Sequence, residues 1–143
     1  MSVKSNSVRR GSVWWYEDNS EPRDGIVSGT RPVIVVSNNQ RGLSPVVEVI
    51  KCTTEDKKTK CSKINIRLSS LPKQSYALCN QHTTVRIDDL GKFICNLTPE
   101  EMLRVDEGLR VSQGLMIGTY EVVPKVSKWP RIWQYSSLMT TDL

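Results

Sequence analysis

From residue 12 to residue 87 the chain alternates short apolar, β-branched runs with clusters of turn residues, the pattern of a small, mostly antiparallel sheet. Residues 12–16 make the first predicted strand. Residues 31–37 are apolar on both faces, with Val33 and Val35 on one side and Ile34 and Val36 on the other, as in a central strand. Pro32 falls near its start, where a missing amide donor is tolerated. Residues 38–42 read as a turn, and 45–53 return as the next strand. Ile64, Ile66 and Leu68 alternate with Lys63, Asn65 and Arg67, which marks a strand with one buried face. After Pro72, residues 77–87 supply one or two further β segments, with Val85 and Ile87 in alternation.

A helix follows with defined ends. Thr98 is placed as its N-cap, Pro99 at the first helical position, and Glu101 three residues on to close a capping box. Met102, Val105 and Leu109 share one face, and Gly114 is placed to stop the helix. Several strands followed by one packed helix make an α+β, mostly β pattern.

Length and composition narrow the picture without deciding it. The 143 residues suit one domain with a single core. The 38% hydrophobic content forms no run of the roughly 20 apolar residues that a spanning helix needs. The polar N-terminus lacks the apolar centre of a secretory signal, so a cytoplasmic protein with no membrane partner is expected. Cys52, Cys61, Cys79 and Cys95 contain no Cys-x-x-Cys pair and are expected to stay reduced. Cys79 and His82 are half of a zinc site, but a second pair is missing, so neither metal nor other cofactor is expected.

The net charge of +5 favours an anionic partner. Lys51, Lys57, Lys58, Lys60, Lys63 and Arg67 cluster around one loop, opposed by Glu55 and Asp56, and serve equally as a solvated loop or as a nucleic-acid contact. Past Gly118, Tyr120, Trp129, Trp133 and Tyr135 are interleaved with Lys125, Lys128 and Arg131. Such aromatics can stack bases, although anchoring a tail to the domain or to a partner subunit is favoured by the area each Trp buries. The chain therefore divides into a flexible N-terminus (1–8), one domain (9–117) and a C-terminal extension (118–143). No Gly-x-Ser-x-Gly elbow, Walker loop or His-Glu-x-x-His motif supports a hydrolase, nucleotide triphosphatase or zinc protease.

One residue stands out against this background. Arg31 sits at the mouth of an apolar strand, after a Gly-containing loop, where a buried core would not place a permanent cation. An arginine there pairs bidentately with phosphate and stays charged at any working pH. The alternative is a surface ion pair with Glu17, Asp18, Glu21 or Asp24.

The segments Arg10-Gly11-Ser12-Val13-Trp14-Trp15 and Gly29-Thr30-Arg31-Pro32-Val33-Ile34-Val35 resemble the opening of the MazF/PemK family of endoribonuclease toxins. Ser44-Pro45-Val46-Val47, the strand ending Lys51-Cys52-Thr53, and Val105-Asp106-Glu107-Gly108-Leu109 follow in the family's order. The resemblance implies a small SH3-like antiparallel barrel of the CcdB/PemK type with a C-terminal helix. It also implies a type II toxin that cuts single-stranded RNA without a metal, by attack of the substrate's own 2′-OH, to leave 2′,3′-cyclic phosphate and 5′-OH ends. Such toxins are homodimers, and a cognate antitoxin lays an acidic segment over the RNA groove.

On that resemblance Arg31 and Thr53 are the catalytic candidates, with Thr54 one register away. Ser28, Thr30, Asn38, Thr54, Lys57, Lys58, Gln81 and His82 are candidates for RNA contact. Two departures accompany them. The stretch Gly25-Ile26-Val27-Ser28 supplies no acid before Arg31, which leaves the general base unassigned, with His82 as a candidate by pKa range; and Thr83 stands where many members carry Arg. Two rival readings remain: a gyrase-targeting binding protein on the same fold, and a non-catalytic member that retains RNA binding.

Overall fold

The computed structural model describes residues 4, 7–54 and 63–115. Lys57, Lys58 and the extension 118–143 lie outside the described residues. Six strands and one helix account for most of the described chain: β1 (Ser12–Asp18), β2 (Gly29–Val35), β3 (Val46–Thr53), β4 (Asn65–Leu68), β5 (Ser75–Arg86), β6 (Phe93–Asn96) and α1 (Pro99–Gln113). The strands form one antiparallel sheet in the order β4-β5-β3-β2-β1-β6, curled into a half-barrel. The expected barrel with a C-terminal helix is therefore present. The strand missing from the sequence reading is β6. At four residues, with only Ile94 and Cys95 half-buried, it has too short an apolar run to register as periodicity.

Alternation along β1, β2 and β3 sends side chains to two separate cores. Val13, Ile34, Ile50 and Cys52 point to the side covered by α1, together with Ile66, Leu68, Ala77, Cys79 and Val105. Trp14, Val33, Val35, Val47 and Val49 point to the other side, where they meet Val8, Val85, Ile87 and Leu90. This two-sided burial is what the apolar run Val33-Ile34-Val35-Val36 implies for a central strand. Val8 is fully buried, so packed chain reaches back into the segment read as a flexible N-terminus. Arg41 Nη2 donates to the Val8 carbonyl at 2.7 Å, and Lys4 Nζ donates to the Leu90 carbonyl.

Strand β5 is one long strand rather than two segments, but its pairing with β3 is irregular. Ile50 lies opposite His82, whereas Lys51 lies opposite Leu78. The intervening Cys79, Asn80 and Gln81 are a bulge relative to β3, and a bulge re-aims side chains on the strand that carries it.

The helix forms as its end signals dictate. Thr98 accepts from the Glu101 amide, the Glu101 carboxylate accepts from the Thr98 amide, and Gly114 closes the helix in the left-handed conformation at φ +69°. Val105 is fully buried and Met102 and Leu109 flank it, as expected from their spacing. Glu101 and Gly108 join the buried row. Gly108 lets α1 approach β5 closely, because a Cβ at that position would lie 2.6 Å from Cys79 Sγ and 3.2 Å from Ile66 Cγ1. Substituting Gly108→Ala sets a helix-propensity gain of about 1 kcal/mol against overpacking that costs about 1–3 kcal/mol. The short Cys79 side chain has little room to yield, so the net result expected is a loss of about 1 kcal/mol in urea unfolding.

Candidate active site

Exposure falls steadily along β2. Gly29 and Thr30 are exposed, Arg31 and Pro32 half-buried, and Val33 to Val35 buried. Gly29 opens the strand at φ +84°, a backbone conformation that glycine adopts without strain, with the chain turning into the sheet two residues before Arg31. The register of β2 on β3, Val33 opposite Lys51, carries Arg31 to a place opposite Thr53. The two side chains meet there. Arg31 Nη1 donates to Thr53 Oγ1 at 3.3 Å, and Arg31 Nε donates to the Ser28 carbonyl at 2.7 Å. Thr53 is only 2% exposed.

Both of these partners are neutral. Among the described residues no carboxylate pairs with Arg31. Asp18, one of the acids that a surface ion pair would have used, is instead held by Lys51, whose Nζ lies 2.8 Å from its carboxylate and also donates to the Val27 carbonyl at 2.9 Å. That hydrogen bond from Lys51, with those from Ser20, holds the Asp18 carboxyl down at about 2, well below the usual range. Burial, then the charges of Asp18 and Asp89, raise the Tyr16 phenol above its ordinary value. Tyr16 stands opposite Arg31 on β1, so it is a protonated neighbour of the guanidinium at neutral pH.

Lys51 stands apart from the other basic residues clustered around its loop, for which a solvated surface and a nucleic-acid contact are equal readings: it lies inside β3, 7% exposed and internally paired. Its position in the otherwise apolar run Val49-Ile50-Lys51-Cys52 was the signal that could have marked it, since a buried cation requires a partner. The missing partner was Asp18, and only the strand register brings the two together.

The remaining candidates are scattered. Ser28 reaches Arg31 through its backbone carbonyl. Thr30 and Thr54 alternate with Arg31 and Thr53, so they point to the opposite side, and both are exposed. Gln81 uses both ends of its amide on the loop before β2: Nε2 donates to the Gly25 carbonyl at 2.6 Å and Oε1 accepts from the Val27 amide at 3.2 Å. Asn38 lies beyond the far end of β2, where its side chain accepts from the Gln40 amide at 2.8 Å. Five residues of extended strand, about 16 Å, separate Arg31 from Val36 alone.

His82 is on the wrong side of the sheet to act with Arg31. It pairs with Ile50, which faces the helix, and its Nε2 is 3.6 Å from Glu48. There it lines a groove of about 280 Å³ with Arg10, Glu48, Asp106 and Arg110. Thr83 stands opposite Val49, on the side that carries Arg31.

The described cysteines, Cys52, Cys79 and Cys95, fit a structural role. Burial, with Asp106 nearby, pushes the Cys79 thiol up to about 12, and burial also raises Cys52 and Cys95. Cys79 Sγ donates to the Val105 carbonyl under the helix at 3.8 Å.

The profile of the family described as "PemK-like, MazF-like toxin of type II toxin-antitoxin system" matches residues 9–112. Among solved structures, the chain is similar to an endoribonuclease in complex with its cognate antitoxin from a Mycobacterial species. That likeness has 24% identity over 77% of this chain and 98% of that one, with a TM-score of 0.62. It is similar too to MazF from Deinococcus radiodurans, at 14% identity over 75% and 96% of the two chains and a TM-score of 0.62. A MazE–MazF structure from the same organism gives 17% identity over 76% and 97%, with a TM-score of 0.59. At these identities the structural likenesses establish the fold.

Proposed function

The chain belongs to the PemK-like, MazF-like toxin family of type II toxin–antitoxin systems, and from that premise we propose that it is an endoribonuclease acting on single-stranded RNA. The observation that carries the proposal is the Arg31–Thr53 contact at the polar end of an otherwise apolar sheet face, with Arg31 on neutral partners. A guanidinium that spends its charge on no acid among the described residues is available to a phosphate, which it pairs with two parallel N–H donors.

In this mechanism the 2′-OH of the substrate gives up its proton to solvent water as it attacks the adjacent phosphorus, and the displaced 5′-oxygen of the next nucleotide takes a proton from water. The protein supplies position and charge rather than a nucleophile. Arg31 meets the negative charge that builds on the phosphoryl oxygens, and the Thr53 hydroxyl, oriented by Arg31, donates to one of them. Neither role calls for a metal ion, and the products carry 2′,3′-cyclic phosphate and 5′-OH ends. Gln81 contributes indirectly, because both ends of its amide hold the backbone at Gly25 and Val27, just before Ser28, whose carbonyl receives Arg31 Nε.

The same reading carries a homodimer, a cytoplasmic location, and a cognate antitoxin that competes with RNA for Arg31 through acidic side chains. Its direct test pairs one oligoribonucleotide with the all-deoxy strand of the same sequence. The RNA is expected to be cut and the DNA to survive, because the deoxy strand lacks the attacking hydroxyl. Cleavage of both strands would overturn the mechanism, and survival of a panel of RNAs of varied sequence would overturn the activity.

A further inference from the structure

On β1, β2 and β3 the sheet face that carries Arg31 holds two cations, Arg31 and Lys51, and one acid, Asp18. Asp18 stands opposite Gly29 on the β1–β2 ladder, and Tyr16 opposite Arg31. Asp18 is therefore the diagonal neighbour of Arg31, at the roughly 7–8 Å spacing that long side chains bridge. An arginine and a carboxylate so placed would ordinarily join in a charge-assisted, two-pronged pair. They do not: Lys51 occupies the carboxylate from β3, with side chains only 9% and 16% exposed for Lys51 and Asp18. The low Asp18 pKa agrees with a carboxylate that is ionised and fully engaged.

We propose that Lys51 is a positioning residue of the ribonuclease site: by neutralising Asp18 it keeps that carboxylate from capturing Arg31 and leaves the guanidinium free for the substrate phosphate. The inference rests on the assignment of Arg31 to the phosphate. It makes Asp18 a latent internal inhibitor, and it assigns a function to a buried lysine whose other contact, the Val27 carbonyl, would by itself be ordinary loop anchoring.

The distinguishing experiment is a rescue, read by RNA cleavage and by the 15N–1H resonance of Arg31 Nε. Lys51→Met is expected to lower kcat/KM about tenfold or more, the scale of one charge-assisted hydrogen bond, and to shift the Arg31 Nε resonance as Asp18 pairs with it. Asp18→Asn lowers stability, because it leaves the buried Lys51 charge with only an amide oxygen to receive it, but at a temperature where it is folded it should cleave within about threefold of wild type. The double variant K51M/D18N should recover both cleavage and resonance, because the competing carboxylate is gone. A buried pair replaced on both sides is also the variant best able to fold.

If Lys51 only anchored the loop at Val27, the double variant would be as impaired as Lys51→Met, and that result overturns the proposal. Should Lys51→Met not fold, the comparison of Asp18→Asn with the double variant decides alone, since a further loss on adding Lys51→Met contradicts the proposal. Should wild type leave RNA intact, the ribonuclease reading fails, while the resonance still decides whether Lys51 keeps Asp18 from Arg31.

Discussion

Replacing Arg31 by Ala is expected to lower RNA cleavage by about 10²–10³-fold, the usual loss when one group that stabilises transition-state charge is removed. The fold should survive the change. Arg31 is half-buried at the open end of β2, and its partners are a backbone carbonyl and a hydroxyl, not a buried charge that would be stranded. Melting temperature should therefore move by only a few degrees, about the effect of 1 kcal/mol or less in a domain of this size. Arg31→Lys separates charge from shape. Lysine keeps the positive charge but offers a point donor in place of a planar fork, so it should restore binding of RNA more fully than turnover. A loss of cleavage that tracked a loss of folded protein, seen by circular dichroism on the same samples, would contradict the assignment.

Glu101→Ala should give the largest loss of stability. The Glu101 side chain is only 2% exposed, yet it receives hydrogen bonds from the Ser69 amide at 2.8 Å, the Ser70 amide at 3.0 Å, the Thr98 amide at 2.9 Å and the Ser70 hydroxyl. It thus closes the capping box of α1 and fastens the turn after β4 to the helix. Truncation leaves three amides without their acceptor at about 1–3 kcal/mol for each that water cannot reach. A total near 3 kcal/mol is expected, which lowers the melting temperature by roughly 10–20 °C.

Acid should reproduce part of this loss. Burial works to raise the Glu101 pKa, but the combined hydrogen bonds outweigh it and hold the group at about 2; Lys51 and Ser20 hold Asp18 at about 2 as well. Both are lowered on folding, so their stabilisation is fully present above the unfolded values near ~4 and is lost as pH falls through about 2. Denaturant midpoints measured from pH 6 down to pH 2 should drop most steeply below pH 4. In Glu101→Gln the slope should flatten.

The elements that the sequence announces are those whose signals are local. The Thr98-Pro99-Glu101 start, the Gly114 stop and the alternation of Ile66 and Leu68 each act within a few residues, and the structure contains all of them. Arg31 beside Thr53 was accessible through the family pattern, and the register of β2 on β3 supplies the contact. What could not be read depends on long-range pairing. The bulge at Cys79, Asn80 and Gln81 decides that His82 faces the helix, and no local periodicity specifies a bulge. Arg31 lies near the open end of β2, and Asn38 lies beyond its other end. Gln81 resembles a base reader by residue type, yet both of its amide ends are used on backbone. The Lys51–Asp18 pair spans 33 residues of chain and becomes visible only when β1, β2 and β3 are laid side by side.

The central claim is that Arg31 and Thr53 form a ribonuclease site that works without a metal. It is tested most directly by incubating wild type and Arg31→Ala with one defined RNA in EDTA and weighing the fragments by mass spectrometry. Wild type should yield paired fragments ending in 2′,3′-cyclic phosphate and beginning with 5′-OH, at positions that Arg31→Ala leaves uncut. Intact RNA with wild type, 5′-phosphate ends, or equal cutting by the two proteins would contradict it.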